Sequence, residues 1–114
     1  MAFERIQKAH KAGVKIVFGS DAYYQAGKLT RGQSSLLPLR VYAAAGLTSI
    51  EVIRSATMHA ADLLGQGDKI GSLEKSKYAD IIAVPGNPLD KPELLENVVF
   101  VMKEGLVIMP KQKF

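Results

Sequence analysis

No cysteine and no tryptophan occur in this chain, and histidine occurs only twice, at His10 and His59. The first absence excludes disulfides and thiolate metal sites, so any metal has to be held by His, Asp or Glu. No apolar run approaches the roughly 18 residues of a membrane span, and Met1-Ala2-Phe3-Glu4-Arg5 lacks the basic-then-apolar pattern of a signal peptide. The expectation is a cytoplasmic protein without membrane association. A glycine-rich phosphate loop is lacking too, because Gly65, Gly67 and Gly71 follow a helix rather than open one. The net charge of +4 is spread among interleaved acids. Its densest basic group is Lys111 and Lys113, in a short tail ending at Phe114, and no basic stripe with readers beside it can be assembled, so nucleic acid is not an expected partner.

What is present is a 114-residue chain with 47% hydrophobic content, the composition of one globular core. Phe3, Ile6 and Ala9 or His10 stand at helical spacing from about Ala2 to Ala12, with Gly13 suited to the left-handed position after a helix end. Val14-Lys15-Ile16-Val17-Phe18 is short, β-branched and mostly apolar and reads as an interior strand, broken by Gly19-Ser20. Tyr23 to Gln33 reads as a loop. Ser34 and Ser35 can cap a helix that tolerates Pro38 in its first turn, buries Leu36, Leu39 and Ala43 with Leu37, Val41 and Ala44, and stops at Gly46. Thr48-Ser49-Ile50-Glu51 is a capping box with Leu47 and Val52 as its hydrophobic staple. The helix it opens is expected to reach about Leu64, with Ile50, Ile53, Thr57, Ala60 and Leu64 on one side.

Beyond Gly67 the pattern turns strand-like. Ile70 to Leu73 reads as a short extended piece, Glu74 to Lys77 as a turn, and Ala79 to Val84 as a strand closed by Pro85-Gly86-Asn87-Pro88. A helical turn near Pro92 to Leu95 precedes a hairpin of Val98 to Lys103 and Leu106 to Met109 about Glu104-Gly105. The expected boundary divides residues 1–66 from residues 67–114.

Asp21 stands where the apolar run 14–18 ends. In α/β folds that end collects catalytic and metal-binding groups, but an Asp there also serves as a turn former or helix cap, and the residues alone leave both readings open. The order of elements narrows the choice. Val17-Phe18-Gly19-Ser20-Asp21-Ala22, Ala45-Gly46-Leu47-Thr48 through Ile53, Ala56-Thr57, Ala60-Ala61 and Leu64-Gly65 resemble the last β/α unit of the metal-dependent amidohydrolase superfamily. Asp68-Lys69-Ile70-Gly71-Ser72-Leu73-Glu74, Lys77 and Ala79 through Leu89 continue the likeness, which is similar to the ending of imidazolonepropionase-like and Xaa-Pro dipeptidase-like members.

The resemblance implies an α/β fold, with residues 1–66 a partial (β/α)8 barrel (last strand and helices) and residues 67–114 a small β-sandwich portion. It implies a hydrolase acting on amide or peptide C–N bonds with a divalent metal, most often zinc, for which Asp21 is both a metal ligand and the catalytic acceptor of the proton from attacking water. The family's paired His motif, its bridging Lys or Glu and its other His ligands would lie upstream. The expectation is therefore a C-terminal portion that binds no metal and is inactive alone, needing a companion N-terminal polypeptide for a peptide or cyclic amide substrate. The alternative is a non-catalytic structural module that self-associates through the apolar faces of Val14 to Phe18 and Ile81 to Val84. His10 and His59 are expected in solvated or packing roles, and Lys77 and Asp80 in a turn and a surface salt bridge. Ser76 and the loop from Tyr23 to Gly27 depart from the family's pattern, and Tyr24 and Arg31 could face a substrate carboxylate or simply solvent.

Overall fold

Three helices stop by the same device. In the computed structural model, which describes residues 2–22 and 25–110, α1 (Ala2–Lys11), α3 (Pro38–Ala44) and α5 (Met58–Leu63) are each followed by a glycine at positive φ, namely Gly13, Gly46 and Gly65. In each case the glycine N–H and the next N–H turn back onto the last-turn carbonyls: Gly13 to His10 and Val14 to Ala9, Gly46 to Ala43 and Leu47 to Tyr42, Gly65 to Asp62 and Gln66 to Ala61. This double bond satisfies carbonyls that a helix end otherwise leaves without partners, and only glycine adopts the required conformation without strain.

Helix starts are equally local. Thr48 caps α4 (Ser49–Ala56) with the expected capping box, and Leu47 and Val52 both lie in the core. A second capping box, Thr30 with Gln33, opens α2 (Arg31–Leu36). The cap is thus Thr30 and not Ser34 or Ser35. Ser34 is buried within α2, its hydroxyl donating to the Thr30 carbonyl and accepting from the Ala26 N–H. Pro38 has no N–H to continue α2, so it starts α3 afresh at a first-turn position where that loss is harmless.

The helix expected to run unbroken to Leu64 is two helices. Thr57 stands at φ −126° and ψ −89° between α4 and α5, and its hydroxyl donates to the Ile53 carbonyl at 2.8 Å. The break shifts the buried stripe: Val52, Ser55 and Ala61 are buried, whereas Ile50 and Leu64 are exposed. Leu39, Tyr42, Leu47 and Val52 form the core, with Ile6, Ile16, Phe18, Leu36, Ala43 and Leu95 packed against it.

Residues 14–18 are extended but belong to no sheet, which corrects the strand reading. A ladder needs a neighbouring strand, and the described residues bring none to this segment. Residues 70–72 are a bend rather than part of an extended piece, because Gly71 turns at φ +95° where the chain crosses α5. The later strands, β1 (Ile81–Ala83), β2 (Phe100–Lys103) and β3 (Leu106–Met109), make one antiparallel sheet in the order β1-β2-β3. A sandwich needs two sheets face to face, so the described residues supply a single layer in place of the expected sandwich portion. The hairpin lies where expected. Glu104 and Gly105 both have positive φ and join Lys103 to its partner Leu106, the twist that a two-residue hairpin loop requires. A 3₁₀ turn, Pro92–Glu96, packs against α2, α3 and α4 and is tied to α3 by the Arg40–Glu96 ion pair.

Candidate functional site

The extended segment 14–18 reaches Asp21 with its backbone held by groups that are not strands. The Phe18 N–H donates to the Ser55 carbonyl at 2.9 Å. Ser55 lies in the last turn of α4, where carbonyls lack helical partners, so the stop at Thr57 is what frees this acceptor. The Ile16 carbonyl takes a hydrogen bond from His59 Nδ1 at 3.1 Å. A carbonyl only accepts, so Nδ1 carries the proton. The Tyr42 hydroxyl donates to the Val17 carbonyl at 3.4 Å, and the Phe18 and Tyr42 rings meet edge to face at 5.5 Å. One turn beyond His59 on α5, Asp62 pairs with Lys15 at 3.5 Å.

Asp21 itself is exposed and stands at φ +47°, a left-handed conformation uncommon outside glycine, though better tolerated by Asp than by most residues. Ser20 Oγ accepts from the Ala22 N–H at 3.3 Å and closes the turn around it. Beside Ser20 opens a mostly apolar groove of about 500 Å³ lined by Ile6, Gly19, Leu37, Pro38, Val41 and Tyr42. A catalytic zinc generally takes three protein ligands. Among the described residues no group of three His, Asp or Glu side chains comes together. The described residues therefore do not by themselves assemble the ligand set of a catalytic zinc.

His10, Lys77 and Asp80 each have partners other than Asp21. His10 Nε2 donates to Glu51 Oε1 at 3.1 Å. The Glu51 carboxylate also accepts from the Thr48 N–H at 2.7 Å and the Thr48 hydroxyl at 2.8 Å. The Thr48 backbone first and His10 second hold its pKa down at about 2, against 4.5 for a free Glu. Lys77 donates to Ser72 and pairs with Glu74 at 2.9 Å, which holds the Glu74 carboxyl below its ordinary range. Asp80 accepts from Lys103 and from the Glu104 N–H, each at 2.8 Å, and is lowered for those two reasons in that order. Lys77 and Asp80 thus fix the turn and the hairpin. Arg31 is exposed at the start of α2, and Tyr24 lies outside the described residues.

Tyr42 and Ser55 went unnoticed in the sequence as holders of the Asp21 segment. Their partners lie far off in the chain, and neither residue type nor local spacing signals such a pairing. A Thr-x-x-Gln pattern at Thr30, by contrast, was open to reading.

Residues 2–110 match the amidohydrolase family. Over 76 residues the chain is 41% identical to the imidazolonepropionase of Pseudomonas putida (strain GB-1), a stretch covering 62% of this chain and 17% of that enzyme. A crystal structure of a Xaa-Pro dipeptidase with methionine bound in its active site superposes with a TM-score of 0.81 at 41% identity, covering 92% of this chain and 25% of that one. Molinate hydrolase gives the same TM-score of 0.81 at 22% identity, over 97% of this chain and 28% of the other, a likeness of fold alone. The chain spans under a third of the length of each of these relatives.

Proposed function

The chain belongs to the amidohydrolase family, and on that premise we propose that it serves the hydrolysis of amide or peptide C–N bonds, Xaa-Pro dipeptides first among them. Residues 1–66 would be the last unit of a (β/α)8 barrel and the sheet of residues 67–114 one layer of a sandwich, both completed by polypeptide other than the described residues. Asp21 is the reactive group of this piece. Its carboxylate would be one ligand of a divalent metal, with the remaining ligands supplied from that other polypeptide, and the same carboxylate accepts the proton of the attacking water. The observation that carries the reading is an acid at the exit of the extended segment, within a stretch that follows a Xaa-Pro dipeptidase along nearly its whole length.

The test is metal analysis and peptide hydrolysis on the purified chain, alone and after co-expression with the barrel portion of a related dipeptidase. The chain alone is expected to hold far less than one zinc per copy and to leave Xaa-Pro dipeptides intact. Activity should appear on complementation and vanish with Asp21→Asn. One tightly held ion per isolated chain, or an unaffected Asp21→Asn complement, refutes the proposal. A second reading, a self-associating module without chemistry, is favoured by the exposure of Val14 at 56% and by that of Ile82 at 55% on the edge strand β1, since an open apolar edge invites pairing with another chain.

A further inference from the structure

We propose that His59 is a positioning residue for the Asp21 turn, acting as an Nδ1–H donor that substitutes for a strand neighbour. The structural statement stands on its own, and its bearing on catalysis rests on the reading of Asp21 given above.

An extended segment in a sheet has its carbonyls fixed by the N–H groups of the next strand. Among the described residues the 14–18 segment has no such strand, yet its carbonyls cannot be left unpaired against a packed helix layer without a penalty. Two consecutive carbonyls, those of Ile16 and Val17, are met by the side chains of His59 and Tyr42. The two bonds differ in quality. At 3.4 Å the tyrosine contact is long, whereas the histidine contact at 3.1 Å lies near the usual N–H···O length. The histidine rises from the first turn of α5, just past the stop at Thr57, beside the Ser55 carbonyl that accepts from the Phe18 N–H.

Donor and acceptor thus come from residues four apart along the chain, His59 and Ser55, and grip the segment at Ile16 and Phe18. Asp62, on the same face of α5, adds a third hold through Lys15. These contacts hold the segment at 15, 16 and 18, the nearest of them three residues before Asp21. The proton on Nδ1 has a second consequence. In the neutral ring Nε2 is then an acceptor only.

The geometry distinguishes this role from simple space filling, because it needs a donor at the δ position of the side chain. Asparagine carries an N–H donor there; glutamine carries its donor one bond farther out, and leucine carries none. The test uses the chain as it is. In ¹⁵N-labelled protein above the imidazole titration range, long-range proton–nitrogen spectra should find the His59 proton on Nδ1. Hydrogen exchange of the amides from Phe18 to Ala22 should rise about tenfold in His59→Leu and His59→Gln, as expected for losing one bond that orders a local segment, and stay near the native rate in His59→Asn. Exchange in β2 and β3 should not move.

Equal protection in the Asn and Gln variants, unchanged exchange in His59→Leu, or a native proton on Nε2 each overturns the proposal. If the variants do not fold, the native tautomer alone decides it. Asp21→Asn is expected to leave the exchange of the segment unchanged, so the failure of Asp21 as the reactive acid and the failure of His59 as its positioner give different results.

Discussion

One carboxylate, that of Glu51, caps its own helix and ties it to α1 through His10. Its depressed pKa makes this a pH-dependent contribution. The folded-state value is about 2 and the unfolded one 4.5, so the native state holds fewer protons in that range. The stability is present in full above about pH 4.5 and is lost as pH falls towards about 2. Glu74 and Asp80 are lowered as well and act in the same direction. The side chain of Glu51 is 41% exposed, and solvent screening keeps its share below about 1 kcal/mol. Glu51→Gln keeps an acceptor for the Thr48 N–H but removes the ionisation. Thermal unfolding of this variant should therefore decline less steeply with acid than that of the native chain, and parallel declines would show that the carboxylate contributes nothing.

At the scale of elements, the crossing of residue 71 over α5 is the tightest contact described. A Cβ on Gly71 would sit 2.7 Å from the Ala61 Cβ and 3.1 Å from the Thr57 carbonyl oxygen, at a φ of +95°. Gly71→Ala is expected to destabilise the chain by about 3 kcal/mol in denaturant unfolding, since steric overlap adds to backbone strain. Gly13→Ala, also at positive φ but with nothing within 4 Å, should cost about 1 kcal/mol from backbone strain alone. Equal losses in the two variants would mean that the crossing is looser than described.

The same contrast explains what could be read in the sequence. The capping box at Thr48, the glycine stops at 13, 46 and 65, and the Glu104-Gly105 hairpin are written in neighbouring residues, and the fold keeps all of them. The hold on residues 14–18 depends on atoms brought from distant parts of the chain. Val14 to Phe18 carries the β-branched, apolar look of a strand, but a ladder is a property of two segments and cannot be read from one. The position of Asp21 at the end of that segment was legible. Tyr42, Ser55 and His59 as its supports were not.

The molecule as a whole is loose for its length. Its radius of gyration is 14.9 Å, against about 13 Å for a compact chain of this size. The buried apolar side chains are few among the described residues, while Leu73, Leu106 and Leu63 are each at least 70% exposed. The sheet leaves β1 and β3 as edges, and the groove beside Ser20 flanks the unladdered segment. We expect the isolated chain to associate with itself or with a companion polypeptide through these surfaces. Light scattering on the purified chain should report a dimer or larger species that Val14→Lys with Ile82→Lys shifts towards monomer. A native chain that is monodisperse and monomeric excludes self-association.

The interruption at Thr57 also inverts a common recipe for hardening a protein. A redesign that smoothed residues 49–63 into one regular rod would give the amide of residue 59 first claim on the Ser55 oxygen, and Phe18 would lose its anchor. Greater helical regularity would then loosen the stretch that leads into residue 21.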